Sequence, residues 1–174
     1  QVSFGLAPRL NAAGRIAHAR EGVQLMTTES SEEAERLAIQ LCDTNVTRQQ
    51  IERNIFEEAQ KRIAELAIEK DMALVVDGQD WHPGVIGIVA SRLVERTGRP
   101  VIVVTVDEHG ECKGSGRSVQ GFNLHDCIGS CADLLIRYGG HAMAAGLSVR
   151  EENLPVLRRR LNEWAARECT VLVT

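Results

Sequence analysis

From Ser30 to Ala67 the chain carries neither proline nor glycine, and its apolar residues recur at helical spacing. Ala34, Leu37, Ala38 and Leu41 form one run, and Ile51, Ile55, Ala59, Ile63, Leu66 and Ala67 form a second. Steps of three and four residues put each run on one face of an α-helix. The pattern predicts a single helix over residues 31–70, about 60 Å long if straight. Ser30 and Glu33 spell an S-x-x-E capping box, and Glu32 and Glu35 suit the positive end of a helix dipole. The stripe thins between Cys42 and Gln50, where Asp43, Thr44, Asn45, Arg48 and Gln49 stand. A thinned stripe in mid-helix predicts a solvated span linking two lobes. Glu52, Glu57, Glu58 and Glu65 read as the solvated face of this helix and not as metal ligands.

On either side of the helix the pattern changes. Residues 1–30 read as a mostly irregular segment between lobes, with short helical pieces. Residues 71–169 read as a compact α/β lobe. Buried strands are predicted at Met72 to Val76 and Val101 to Val106, with a helix over Gly84 to Thr97 between them. A third strand covers 111–118, a helix runs from Leu124 to Tyr138, and a fourth strand follows at Ala145 to Arg150. A last helix spans about Leu154 to Glu168, with Pro155 in its first turn. Strand, helix and strand followed by closely spaced strands predict a mixed β-sheet flanked by helices. Thr170 to Thr174 is a β-branched run that predicts the opening strand of a following domain. With Gln1 first and Met26 the earliest methionine, the sequence is expected to be a piece of a longer polypeptide.

An apolar content of 44% supports a real core, and the net charge of −4 excludes a polycation that coats nucleic acid. Any nucleic-acid contact must therefore come from local clusters of arginine. Arginine far outnumbers lysine, but so many arginines sit where lysine would serve that the ratio reads as compositional bias. The five cysteines, without a secretory signal or a long apolar run, predict reduced thiols, a cytoplasmic location and no membrane contact.

Two short motifs suggest chemistry. Tyr138-Gly139-Gly140-His141 runs into the small-residue segment Ala142 to Gly146. Glycines allow close approach of a backbone, and a histidine there can bond a phosphoryl oxygen or shuttle a proton. The alternative is a helix C-cap followed by a buried, hydrogen-bonded histidine. Gly114-Ser115-Gly116-Arg117-Ser118 offers backbone N–H groups, two hydroxyls and a planar guanidinium suited to phosphate. Its alternative is a glycine-softened strand with a surface arginine. Trp81-His82-Pro83-Gly84 stands at a strand-to-helix junction, either as an anion site or as a packed turn. His125, Cys127 and Cys131 lack a CxxC pair and a fourth ligand, so the cysteines read as core and no metal site is expected.

The GSGRS and YGGHAMAAG motifs resemble the DHH-associated second lobe of the DHH phosphoesterases. With Ala7-Pro8-Arg9-Leu10-Asn11-Ala12-Ala13-Gly14-Arg15, Asn45 to Gln49 and Trp81 to Ala90, nearly the whole chain is similar to the RecJ family of single-strand-specific exonucleases. The resemblance implies cleavage of single-stranded DNA from the 5′ end, in repair and recombination, with Mn²⁺ or Mg²⁺ bound by a DHH lobe. The chain contains no Asp-His-His, so those ligands are expected on a missing lobe, with no ion held here. The resemblance further implies that Ser115, Arg117 and Ser118 hold the 5′ phosphate. His141, presented by Gly139 and Gly140, would bond the scissile phosphate as the catalytic residue of this lobe. Arg9, Arg15, Arg48 and Gln49 would guide the strand. Two other classes stay open: a phosphodiesterase for short oligonucleotides or cyclic dinucleotides, and a non-catalytic nucleic-acid-binding module.

Overall fold

A computed structural model of the chain describes residues 5–68 and 70–171, with side chains described through Glu168. The chain divides into two compact units, Gln1–Asn54 and Ile55–Thr174.

In the first unit, α1 (Ala7–Ile16) and α2 (Ala19–Thr27) precede α3 (Ser31–Glu65). The segment expected to be mostly irregular is thus helical through most of its described length. Pro8 in the first turn of α1 needs no amide partner, and Ala12 and Ala13 are fully buried. α3 covers most of the predicted long helix but stops at Glu65. Its amide donor at Glu33 meets the Ser30 hydroxyl at 3.3 Å, as a capping box requires. The Glu33 carboxylate, however, accepts from Thr28 Oγ1 and Gln24 Nε2, both at 2.6 Å. Those bonds to Thr28 and then Gln24 hold its pKa below the usual carboxylate range.

The last turns of α3 belong to the second unit. The helix ends where Ala67 turns left-handed at φ 53° and the Ile68 amide reaches back to the Ile63 carbonyl at 3.3 Å. That unit is built on a five-stranded sheet in the order β1-β2-β3-β5-β4. The strands are β1 (Leu74–Gln79), β2 (Val101–Val106), β3 (Glu111–Arg117), β4 (Leu135–His141) and β5 (Ala144–Arg150). β1 and β2 pair in parallel across α4 (Pro83–Thr97), and the remaining pairs are antiparallel. The α/β class with a mixed sheet agrees with the sequence.

Sheet alternation sorts the side chains. One face carries Val75, Ile102, Val104, Cys112, Leu147 and Val149 into the core, which includes residues of α5 (Leu124–Gly129) and α6 (Leu154–Val171). Cys127 and Cys131 are wholly buried there, and desolvation pushes the Cys127 thiol up to about 12. The other face packs on α4 along β2 and β3. Asp77 within β1 accepts from Arg158 Nη2 at 2.8 Å and Arg62 Nη2 at 3.0 Å, bracing α6 and the end of α3.

Three expectations change. The helix foreseen from Leu124 to Tyr138 lasts only to Gly129. Ser130 Oγ bonds the Cys127 carbonyl at 2.7 Å, a 3-10 turn covers Ala132–Leu134, and the chain then becomes the edge strand β4. The Tyr138-Gly139-Gly140-His141 motif therefore lies in a strand and not beyond a helix end. At the other end of the chain, α6 extends through Val171, so Thr170 and Val171 close a helix. Residues 172–174 of the expected terminal strand lie outside the described residues.

Candidate functional site

The register brings the two motifs of the second unit together. Arg117 on β3 pairs with Ala144 on β5, and Ala144 pairs with His141 on β4. Residues directly opposite in antiparallel strands share a face, so Arg117, Ala144 and His141 form one cross-strand row. The neighbouring row on that face is Ser115, Gly146 and Gly139. β5 thus runs as a floor of small residues between the arginine strand and the histidine strand. His141 is exposed at the end of β4, just before the tight connection at Ala142 and Met143. A buried histidine, the bland alternative, does not occur.

The glycines divide into three kinds. Gly114 and Gly116 face the core: a Cβ at Gly116 would stand 2.7 Å from Leu124 Cδ2, and one at Gly114 would stand 3.0 Å from Leu147 Cδ1. They are glycine because leucines press on the strand backbone, and their amides serve the sheet. Gly140 has φ 137°, and a Cβ there would lie 2.5 Å from the Ala144 carbonyl oxygen. It is needed for the pairing of β4 with β5. At Gly139 a Cβ would meet nothing within 4 Å, so its missing side chain only keeps the floor bare.

Arg117 is fixed by its neighbours. Its Nη1 donates to the Gly116 carbonyl at 2.7 Å and to Ser115 Oγ at 3.2 Å. Its guanidinium and the Ser115 hydroxyl lie against Gly87 of α4, where a Cβ would come within 2.9 Å of Arg117 Nη2 and of Ser115 Oγ. Gly87 was not singled out from the sequence. The available signal was a lone glycine inside an otherwise helical pattern, which commonly marks close packing. Ser118 differs from its expected role: it is 6% exposed, and its hydroxyl donates to the Phe122 carbonyl at 2.8 Å. Its amide bonds the Met143 carbonyl at 3.0 Å. Ser118 ties the end of β3 to the β4–β5 connection with its own donor already committed.

Trp81-His82-Pro83-Gly84 is a packed turn. The Trp81 indole lies on Gly78, where a Cβ would overlap the ring at 2.1 Å, and donates to Glu58 Oε2 at 2.7 Å. His82 Nδ1 accepts from the Gly84 amide at 3.1 Å and so caps α4.

In the first unit the four arginine and glutamine candidates stand on α1 and α3. Arg9 Nε contacts Cys42 Sγ at 3.0 Å, and its Nη1 donates to the Gly5 carbonyl. Arg15 is exposed in the last turn of α1. Arg48 pairs with Glu52 one turn on and donates to Asn45 Oδ1 at 3.2 Å, while Gln49 is exposed. Among the described residues no three His, Cys, Asp or Glu side chains are grouped to hold a metal ion. No helix among them is long and apolar enough to cross a membrane.

Residues 69–167 match the DHHA1 domain. The chain is 47% identical over 165 residues to the single-stranded-DNA-specific exonuclease RecJ of Bacillus subtilis, covering 94% of this chain and 21% of that protein. It is 40% identical over 169 residues to the RecJ of Escherichia coli, covering 93% of this chain and 29% of that one. A crystal structure of RecJ from Thermus thermophilus in complex with Mg²⁺ superposes with a TM-score of 0.86 at 37% identity. That match covers 95% of this chain and 26% of the other. The chain thus spans between a fifth and a third of the length of the curated relatives it matches.

Proposed function

The chain belongs to the DHHA1 domain family, and on that footing we propose that it is the nucleic-acid-binding lobe of a single-stranded-DNA exonuclease. In this reading it positions the 5′ end and the scissile phosphate, in DNA repair and recombination, for hydrolysis at a metal site elsewhere in the same polypeptide. The observation that carries the reading is the row of Arg117 and His141 across the bare floor of β5. Arg117, oriented by Ser115, supplies charge-assisted bonds to a terminal phosphate. His141, exposed on the edge strand, donates a hydrogen bond to a phosphoryl oxygen as charge develops there. Gly139 and Gly146 let the sugar–phosphate backbone lie against the sheet. Arg9, Arg15, Arg48 and Gln49 guide the strand from the first unit. Ser118 sets the end of β3 and does not itself touch the ligand.

The RecJ neighbour was solved with Mg²⁺ and another with Mn²⁺, and such ions supply water activation and charge neutralisation when bound. The described residues do not form a site for them. In this reading the chain's own contribution is binding and orientation. As an expected result, the purified chain with Mn²⁺ or Mg²⁺ shows no nuclease activity on labelled single strands, whereas robust Mn²⁺-dependent cleavage would show that chemistry resides here.

The direct test is binding to a single-stranded oligonucleotide bearing either a 5′ phosphate or a 5′ hydroxyl. The phosphorylated end is expected to bind about tenfold more tightly, the value of one charge-assisted hydrogen bond. Equal binding of both ends removes end recognition from this lobe.

A further inference from the structure

Two rows along the sheet from Arg117 and His141, on the same face, Lys113 on β3 and Arg137 on β4 flank Ser148 on β5. We propose that this row is a second phosphate site, which takes an internal phosphodiester of the single strand whose end lies at the Arg117–His141 row. The proposal rests on the functional reading above and extends it to residues outside the GSGRS and GGH motifs.

The site is built from both walls and the floor. Lys113 and Arg137 are exposed, while Ser148 between them is only 2% exposed. Arg137 Nε donates to Ser148 Oγ at 3.2 Å, which holds the guanidinium over the floor of the groove. A concavity of about 320 Å³ lies here, lined by Lys113, Arg137, Gly139, Gly146 and Ser148 among others. Among the described residues neither cation forms an ion pair, although the more distant Asp107 carboxylate feels Lys113. The next row pairs Glu111 with Arg150, so there a carboxylate stands opposite the cation.

Spacing and chemistry agree with a nucleic-acid backbone. Four residues of strand separate the two rows, about 14 Å at 3.4 Å per residue. The intervening row is Ser115, Gly146 and Gly139, which offers one hydroxyl and no bulk. A strand anchored by its end phosphate at Arg117 can therefore run along β5 and set a later phosphate between Lys113 and Arg137. Sequence is not read, because the floor presents no base-recognising side chain.

The experiment measures binding of this chain to a 5′-phosphorylated thymidine dinucleotide and hexanucleotide across a salt series. The variants are Lys113→Gln, Lys113→Gln with Arg137→Gln, and Lys113→Arg with Arg137→Lys. For the hexanucleotide, loss of both cations is expected to make the slope of log K against log salt shallower by about 0.7, the share of one phosphate contact. Dinucleotide binding is expected to stay unchanged, and the charge-retaining pair is expected to keep the parent slope. Lys113→Gln alone, on an exposed side chain, is expected to give half the effect without touching the Arg137–Ser148 bond. An unchanged hexanucleotide slope, with the preference for a 5′ phosphate intact, overturns the second site and leaves the functional reading standing. Equal weakening of dinucleotide and hexanucleotide also overturns it, because the cations then act as a general field. Absence of salt-dependent binding by the parent chain overturns both.

Discussion

Gly140→Ala is expected to destabilise the second unit by about 3 kcal/mol, while Gly139→Ala one residue earlier leaves stability within about 0.5 kcal/mol. The two glycines look equivalent in sequence and differ in what surrounds them. At Gly140 the backbone sits at φ 137°, a region that a residue with a Cβ enters only under strain. The added methyl would also lie 2.5 Å from the Ala144 carbonyl and 2.6 Å from the Ala145 Cα, both backbone atoms that cannot swing aside. Relief requires unpairing β4 from β5, and β4 is the edge strand that carries His141. At Gly139 there is open space and an ordinary conformation. Thermal or urea unfolding of both variants checks the contrast. Equal stability would mean that β4 is not held in the register described. Binding separates them the other way: Gly139→Val is expected to fold yet bind single strands more weakly, because its side chain stands on the bare floor.

That contrast also shows where the sequence was readable. The mixed sheet, the strand at Val101 to Val106 and the helix over Gly84 to Thr97 follow from local apolar periodicity, and the structure keeps them nearly residue for residue. β4 was hidden by a true helical period. Leu124, Cys127, Ile128, Cys131, Leu134 and Leu135 fall at steps of three and one, as one helix face would. All six reach or flank the same core, but only the first turns do so as helix. The strand form wins because β5 offers a complete set of backbone partners to the glycine-rich segment. The reasons behind Gly114 and Gly116 were equally hidden. Their motif suggested exposed amides for phosphate, whereas leucines from other elements decide those positions. Ser115, Arg117 and His141 were proposed by residue type, but their common face depends on register, which spacing alone does not fix.

Arg117→Ala is expected to abolish the preference for a 5′-phosphorylated end, a loss of about 1.4 kcal/mol or some tenfold in affinity for that end. Binding of the 5′-hydroxyl strand should change far less. The contacts that direct the guanidinium include the Gly116 carbonyl, the Ser115 hydroxyl and, third, the bare backbone of Gly87 on α4. Gly87→Ala tests the third. Its methyl would come within 2.9 Å of Arg117 Nη2 and Ser115 Oγ, the far ends of side chains that can swing away at small cost. Within a helix, alanine is favoured over glycine by about 1 kcal/mol, so the variant should unfold no more easily than its parent. The displaced guanidinium should nevertheless lose several-fold of its end preference. Stability retained with discrimination lowered is the signature of a residue that positions Arg117. If Gly87→Ala binds both ends as the parent does while Arg117→Ala does not, the arginine reaches phosphate from an orientation other than the one described. If neither substitution alters end preference, Arg117 serves the sheet alone, and recognition of the 5′ end must be sought outside this strip.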